Sequence, residues 1–249
     1  MIYAETKSSL TLAALLLAAT LAGGGILWVA QRAAPGALEG ADKARVEETV
    51  REYVLTHPEI IPEAMKRLQQ RETGKTIAAN RAAILEPFGD AWIGNPQGDV
   101  TLVEYFDYNC GYCRSSLPAI AELVRRDPGV RVVFKEFPIL SEDSITAARL
   151  SLAAADQGKF KAFHDALYAA GPVSAQTMQA AAKSAGIDLA KAAAMTPRAE
   201  AEIAANRQVA QALGLTGTPS WVIGTKVVSA ALPLEELEKA VKEARAASS

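Results

Sequence analysis

Cys110 and Cys113 are the only cysteines in the chain, and Gly111 and Tyr112 separate them. Two thiols at this spacing can close on each other or be opened by a third sulfur, which is dithiol–disulfide chemistry. Zinc uses the same spacing, but a closed structural site needs four Cys or His ligands. The remaining candidates, His57 and His164, lie far from the pair, on opposite sides of it in the chain. A purely structural disulfide here would close a very short loop, where loop-closure stabilisation is smallest. Redox exchange is the reading that survives.

The residues ahead of the pair supply its position. TLVEYF, residues 101–106, is a strand-like run that delivers Cys-Gly-Tyr-Cys to the first turn of a helix. Unpaired N–H groups and the positive end of the helix dipole stabilise a thiolate there. The pattern predicts Cys110 as an exposed nucleophile and Cys113, one turn later, as the shielded resolving thiol.

The helix is expected to run to about Arg126, kinked at Pro118, and to end at Asp127-Pro128-Gly129. A second strand follows at 130–137. A crossover through one helix makes the two strands parallel. Residues 93–99, rich in Gly, Pro and Asn, read as a turn. Alanine-rich helices are expected at 144–155, 159–169, 174–185 and 197–213, then strands at 220–223 and 226–229 around Gly224-Thr225, then a helix at 234–246. This α/β order is that of a thioredoxin fold, residues 92–249, with an inserted helical domain at about 141–214.

Glu104 shares a strand face with Leu102 and Phe106. An acid on a central strand is costly unless paired or protonated, and Lys135 on the neighbouring strand is its expected charge partner. His164 reads as a packed helix residue and His57 as a helix end.

Residues 40–86 carry a different pattern. Val46, Val50, Tyr53 and Val54 form one apolar stripe at helical spacing, with Glu47 and Arg51 paired at i, i+4. His57-Pro58 breaks that helix, and Ile60, Ile61, Met65 and Leu68 begin another stripe. Short amphipathic helices cannot bury such faces alone. The alternatives are packing on the rest of the chain and self-association. A narrow stripe with mixed charges around it resembles a coiled-coil seam, so Val46, Val50 and Val54 are the candidate contacts of a homo-oligomer, trimer or dimer.

At the amino end, residues 9–30 are uncharged and largely apolar, near the ~20 residues that span a bilayer. Residues 10–22 alone have signal-peptide length. Residues 1–34 thus read as a cleaved signal peptide or as an uncleaved anchor; both send the rest of the chain out of the cytoplasm. The net charge of −2 over 249 residues, with no basic stripe, argues against nucleic acid. No phosphate-binding glycine loop or metal-ligand cluster is evident, so no cofactor is expected beyond the Cys110–Cys113 disulfide.

Phe106-Asp107-Tyr108-Asn109-Cys110-Gly111-Tyr112-Cys113, followed by Gly217-Thr218-Pro219 before a strand, resembles the DsbA family of periplasmic thiol–disulfide oxidoreductases. VEETVREYVLTHPEIIPEAMKRL, residues 46–68, is similar to the helical extension of that family's suppressor-of-copper-sensitivity C branch. The resemblance implies that Pro219 is a cis-proline facing the dithiol. Thr218 would present its backbone to an extended substrate beside Gly111 and Tyr112, and Glu104 would relay protons. It also implies a periplasmic protein, soluble or tethered by residues 9–30. Its partners would be unfolded or misoxidised exported proteins and a membrane thiol-redox protein. Tyr112 supplies no imidazolium beside the thiolate, unlike the Pro-His dipeptide of the strong oxidant in the family. That argues against a pure oxidase without deciding the direction. The helical extension leans toward a disulfide isomerase or reductase, because by the resemblance oligomers present several dithiols around one cavity and obstruct the membrane oxidase. The alternatives are a DsbA-like oxidase, a copper(I)-sequestering protein using Cys110 and Cys113 as soft ligands, and a scaffold whose helices organise a membrane complex.

Overall fold

In the computed structural model, which describes residues 37–248, the chain opens with helices α1 (Ala37–Thr56) and α2 (Ile60–Ala79). The expected break falls between them, where His57 stacks on Tyr53 with ring centroids 4.5 Å apart. Val46 and Val50 are 61% and 56% exposed, and Tyr53, Leu55, Met65 and Leu68 are also open to solvent; Val54 is half-buried. The chain divides into two compact units, one ending at Lys66 and the other starting at Arg67, so the division falls inside α2. The signal or anchor expected in residues 1–34 lies outside the described residues. Among the described residues, no helix is long and apolar enough to cross a membrane.

From Arg67 onward the order is the end of α2, α3 (Arg81–Leu85), β1 (Trp92–Gly94), β2 (Val100–Phe106), α4 (Gly111–Arg126) and β3 (Val130–Glu136). Then come α5 (Glu142–Asp156), α6 (Phe160–Ala169), α7 (Ala175–Ser184), α8 (Leu189–Ala212), β4 (Ser220–Ile223), β5 (Lys226–Val228) and α9 (Leu234–Ser248). The sheet order is β1-β3-β2-β4-β5. β2 and β3 are parallel, as a single-helix crossover requires, and the other pairings are antiparallel. This is the expected thioredoxin-type sheet with helices inserted after β3.

Two boundaries differ from expectation. Trp92–Gly94, read as part of a turn, is a short edge strand against Val133, Val132 and Arg131. α8 starts at Leu189 rather than at Pro197, because Asp188 caps it by accepting from the N–H groups of Ala190 and Lys191. Pro197 sits within the helix.

Strand alternation sorts the side chains onto two faces. Leu102, Phe106, Val132, Phe134, Trp221 and Ile223 share one core with α4, α9 and the inserted helices. Val103, Tyr105, Val133 and Val222 share another with Ile77, Ile84, Val209 and Leu213. β2 and β3 are buried along nearly their whole length, so the strand carrying the dithiol ends in a fixed frame.

Candidate active site

The turn after β2 places both thiols. Cys110 is the N-cap of α4, with φ −78° and ψ 112°, and its sulfur accepts the Cys113 N–H at 3.3 Å. On its other side the Cys110 thiol donates to the Thr218 carbonyl at 3.1 Å. The Thr218–Pro219 peptide bond is cis, as expected from the resemblance. Both cysteines are free thiols. Cys113 is 1% exposed, the shielded position expected of it. Cys110, expected to be exposed, is only 5% exposed; the loop bearing Thr218 covers it, so a substrate sulfur must take the place of that carbonyl contact. Gly111 and Tyr112 are open to solvent, with Tyr112 71% exposed.

Glu104 lies beneath the pair, 1% exposed, with Oε1 lacking any hydrogen-bond partner. Burial, and then the Cys110 sulfur, hold its carboxyl well above the usual carboxylate range. Burial, and then the Glu104 carboxyl, push the Cys113 thiol far up. Burial thus favours the protonated form of both acid and resolving thiol in the reduced state, and the Cys113 thiol also feels the Glu104 charge.

Lys135 is not the partner of Glu104. The β2–β3 register sets Glu104 opposite Phe134 and Lys135 opposite Tyr105, and adjacent positions on a strand point to opposite faces. Lys135 instead donates to the Glu86 carbonyl at 2.7 Å and lies 3.5 Å from Glu202 of α8. The acid on the same face is Glu136, buried beside Ser151, also raised by burial and also with an unpartnered Oε1.

The sequence reading missed Asp107, which organises the site. Its carboxylate accepts from Asn109 N–H at 2.8 Å, Ile139 N–H at 2.9 Å, Leu140 N–H at 3.0 Å and the Ser144 hydroxyl at 2.7 Å. The Asp107–Asn109 contact is an Asx turn, and an Asp between a strand end and the cysteines was the signal that could have revealed it. This carboxylate ties the loop after β3 to the dithiol turn, leaving Ile139 and Leu140 exposed. His164 is a packed residue, as expected: it lies among Phe106, Phe134, Phe160 and Tyr168, bonds Tyr108 Oη through Nδ1 at 3.1 Å, and is lowered by burial to about 3.

A thiol capping a helix start, a buried second thiol, a buried acid beneath and the Thr218–Pro219 cis bond against the first thiol together suit thiol–disulfide exchange. Comparison with known proteins agrees. The family model described as Thioredoxin matches residues 88–243, and the Copper resistance protein ScsC N-terminal domain matches residues 42–73. Among solved structures, a linker-deletion variant of Proteus mirabilis ScsC is 28% identical at TM-score 0.68, covering 86% of this chain and 99% of that one. A thioredoxin-like oxidoreductase from Silicibacter pomeroyi is 41% identical at TM-score 0.63, covering 67% and 98%. The thiol-disulfide exchange protein alpha-DsbA2 of Wolbachia pipientis is 27% identical at TM-score 0.64, covering 71% and 97%. Among curated proteins, the Na(+)/H(+) antiporter NhaA 3 of Salinispora tropica is 37% identical over 87 residues, and that match spans only 13% of the antiporter. The chain belongs to the thioredoxin family and, within it, to the ScsC- and DsbA-like thiol–disulfide oxidoreductases.

Proposed function

We propose that this protein reshuffles and reduces wrongly paired disulfides of exported polypeptides, working as a homo-oligomer in the periplasm. The observation that carries this reading over a monomeric oxidase is the open apolar stripe of α1, where Val46 and Val50 are more than half exposed. Such a face needs a partner, and copies of the same helix supply one with matching periodicity. Several dithiols brought together by that assembly would act on one client. The ScsC-type match over residues 42–73 supports the same assignment. A solved structure 30% identical to this chain at TM-score 0.59, from Salmonella Typhimurium, is described as a periplasmic thioredoxin-like protein, which supports the compartment.

In this mechanism the Cys110 thiolate attacks one sulfur of a client disulfide. A Cys110–client disulfide forms and the other client sulfur leaves as a thiolate. The Thr218 backbone, released from its contact with Cys110, holds the client strand through main-chain hydrogen bonds, which tolerate many sequences. Isomerisation follows when a client thiolate attacks the mixed disulfide and frees Cys110. Reduction follows when Cys113 attacks Cys110 Sγ: the Cys113 proton goes to Glu104 as that acid gives up its own to solvent, and the client sulfur leaves as a thiolate. The resulting Cys110–Cys113 disulfide needs a membrane thiol-redox partner, whose thiolate attacks it; Glu104 protonates the departing Cys113 thiolate and takes a proton back from solvent.

The test is reactivation of a client with scrambled disulfides by the reduced protein. Reactivation well above that given by glutathione alone is expected. Failure to reactivate, with fast oxidation of a reduced client by the disulfide form, would instead make the protein an oxidase.

A copper role is the second reading, favoured by the copper-resistance description of the domain matched at residues 42–73. Among the described residues no group of three or more His, Cys, Asp or Glu could hold a metal ion, so copper(I) would rest on Cys110 and Cys113 alone. Competition with a copper(I) chelator, with and without Cys113→Ser, measures it.

A further inference from the structure

The inserted helices grip the dithiol turn at three points. Tyr168 Oη donates to the Asp107 carbonyl at 3.1 Å, and the same oxygen accepts the Cys110 N–H at 3.0 Å. Val173 N–H donates to Asn109 Oδ1 at 3.1 Å. Arg114, the residue after Cys113, donates from Nη2 to the Gly171 carbonyl at 2.6 Å and sets its guanidinium carbon 5.9 Å from the Tyr168 ring centroid. Its Nε is buried without a hydrogen-bond partner.

None of the activity described so far uses this arginine. A long cationic side chain on a first helical turn ordinarily sends its head into water. Here it turns inward, although one of its donors goes unsatisfied. The anchor is specific to a backbone shape: Gly171 has φ +94°, and a Cβ added there would meet nothing within 4 Å. The glycine is therefore required by the conformation of the turn and not by crowding.

Around Tyr168, the groups that carry or exchange protons come from every neighbouring element. They are Glu104 of β2, Glu136 of β3, Asp107 and Tyr108 of the turn, Cys113 of α4 and the neutral His164 of α6. All are acidic or neutral, and Arg114 brings a positive charge to that group. We propose that Arg114 is a positioning residue of the redox centre: Gly171 and Tyr168 hold it so that the first turn of α4 is fixed against the inserted helices, with a cation on the residue that follows Cys113 and lies four positions after Cys110, which favours the reduced, thiolate-bearing form. The proposal concerns the dithiol itself and stands whether the protein isomerises or oxidises.

The experiment compares the parent full-length protein with Arg114→Met, Arg114→Lys and Gly171→Ala. Each is equilibrated with glutathione, in which protein dithiol and oxidised glutathione exchange for protein disulfide and two reduced glutathiones. Each is also alkylated with iodoacetamide across a pH series. Arg114→Met is expected to favour the protein disulfide about tenfold more than the parent does, a shift of about 30 mV toward a more reducing protein. Its Cys110 alkylation profile should move to higher pH. Arg114→Lys, which keeps the charge, should recover most of both effects. Gly171→Ala, which keeps the charge but loosens its anchor, should shift the equilibrium at least threefold. A purely structural role would lower the melting temperature without moving the pH profile or the equilibrium. Should Arg114→Met fail to fold, Gly171→Ala decides: a shift of threefold or more supports the proposal, and a smaller one overturns it.

Discussion

Glu104 and Lys135 stand on adjacent parallel strands but face opposite sides of the sheet. The register that sets Glu104 beside Phe134 and Trp221 sets Lys135 beside Tyr105. The acid is thereby left under the thiols without the lysine to neutralise it, and burial holds its carboxyl well above the usual carboxylate range. The lysine is drawn to the other core, where it joins the chain after α3 to α8 through the Glu86 carbonyl and Glu202.

Lys135→Ala should therefore leave the dithiol alone and damage the fold. The Glu86 carbonyl loses its donor, and a hydrogen bond to a charged group contributes about 1.5–3 kcal/mol. The expected result is a lower melting temperature with Cys110 alkylation rate and glutathione equilibrium within about twofold of the parent. A large change in alkylation with little loss of stability would mean that Lys135 does act on the thiols.

Glu104→Gln separates chemistry from folding. Without the acid, opening of the Cys110–Cys113 disulfide has no buried donor for the departing Cys113 thiolate, and general acid catalysis of this kind contributes about 10²–10⁴-fold. Stopped-flow reduction of the disulfide form should slow by about 10²-fold. Stability should respond in the opposite sense, with a definite pH dependence. The folded carboxyl titrates above its ordinary value of 4.5. Below that value, folded and unfolded chains both hold the proton, so the parent has its full stability. As pH rises, the unfolded chain ionises first and the parent loses stability. In the reduced state the Gln variant should lose less between pH 5 and pH 8, measured by urea unfolding. Glu136, raised in the same way, keeps part of the slope in both proteins. Parallel pH curves would remove Glu104 as the buried titrating group.

The parts of this site that were legible in the sequence are those written in local residue types. Cys110 and Cys113 at their spacing, the strand before them and Thr218-Pro219 after the inserted helices are contiguous signals. What was not legible depends on register or on long-range backbone contacts. The sequence shows that Glu104 and Lys135 lie on neighbouring strands, yet a shift of one residue decides whether they meet. Asp107 takes two of its hydrogen bonds from the N–H groups of Ile139 and Leu140, and a backbone N–H leaves no mark in residue type. The start of α8 went unread because Pro197 looks like a helix beginning while Asp188, the true cap, resembles any loop acid.

Asp107 offers a sharp test of how the site is held. Asp107→Ala leaves the N–H groups of Ile139 and Leu140 and the Ser144 hydroxyl without their acceptor, and hydrogen bonds to a charged group are worth about 1.5–3 kcal/mol each. A loss of about 3 kcal/mol or more is expected, together with faster proteolysis near residues 138–141. Asp107→Asn keeps one acceptor oxygen and should recover roughly half of the loss. Equal stability for both variants would show that the carboxylate is not what ties the two loops.

The stripe on α1 is tested by replacing Val46, Val50 and Val54 together with serine. In the proposed assembly these positions pack against copies of themselves, so the triple variant should sediment as a monomer while the parent sediments as a trimer or dimer. The catalytic unit from Arg67 onward contains none of the three residues, so Cys110 alkylation should be unchanged. Reactivation of a scrambled client should fall about tenfold or more, because a single dithiol no longer has neighbours on the same client, while oxidation of a reduced client should persist. An assembly that survives the three substitutions would move the contact elsewhere, with the open stripe of α2 at Ile61, Met65 and Leu68 the next face to examine. A monomer that still reactivates scrambled clients at the parent rate would separate isomerisation from assembly altogether.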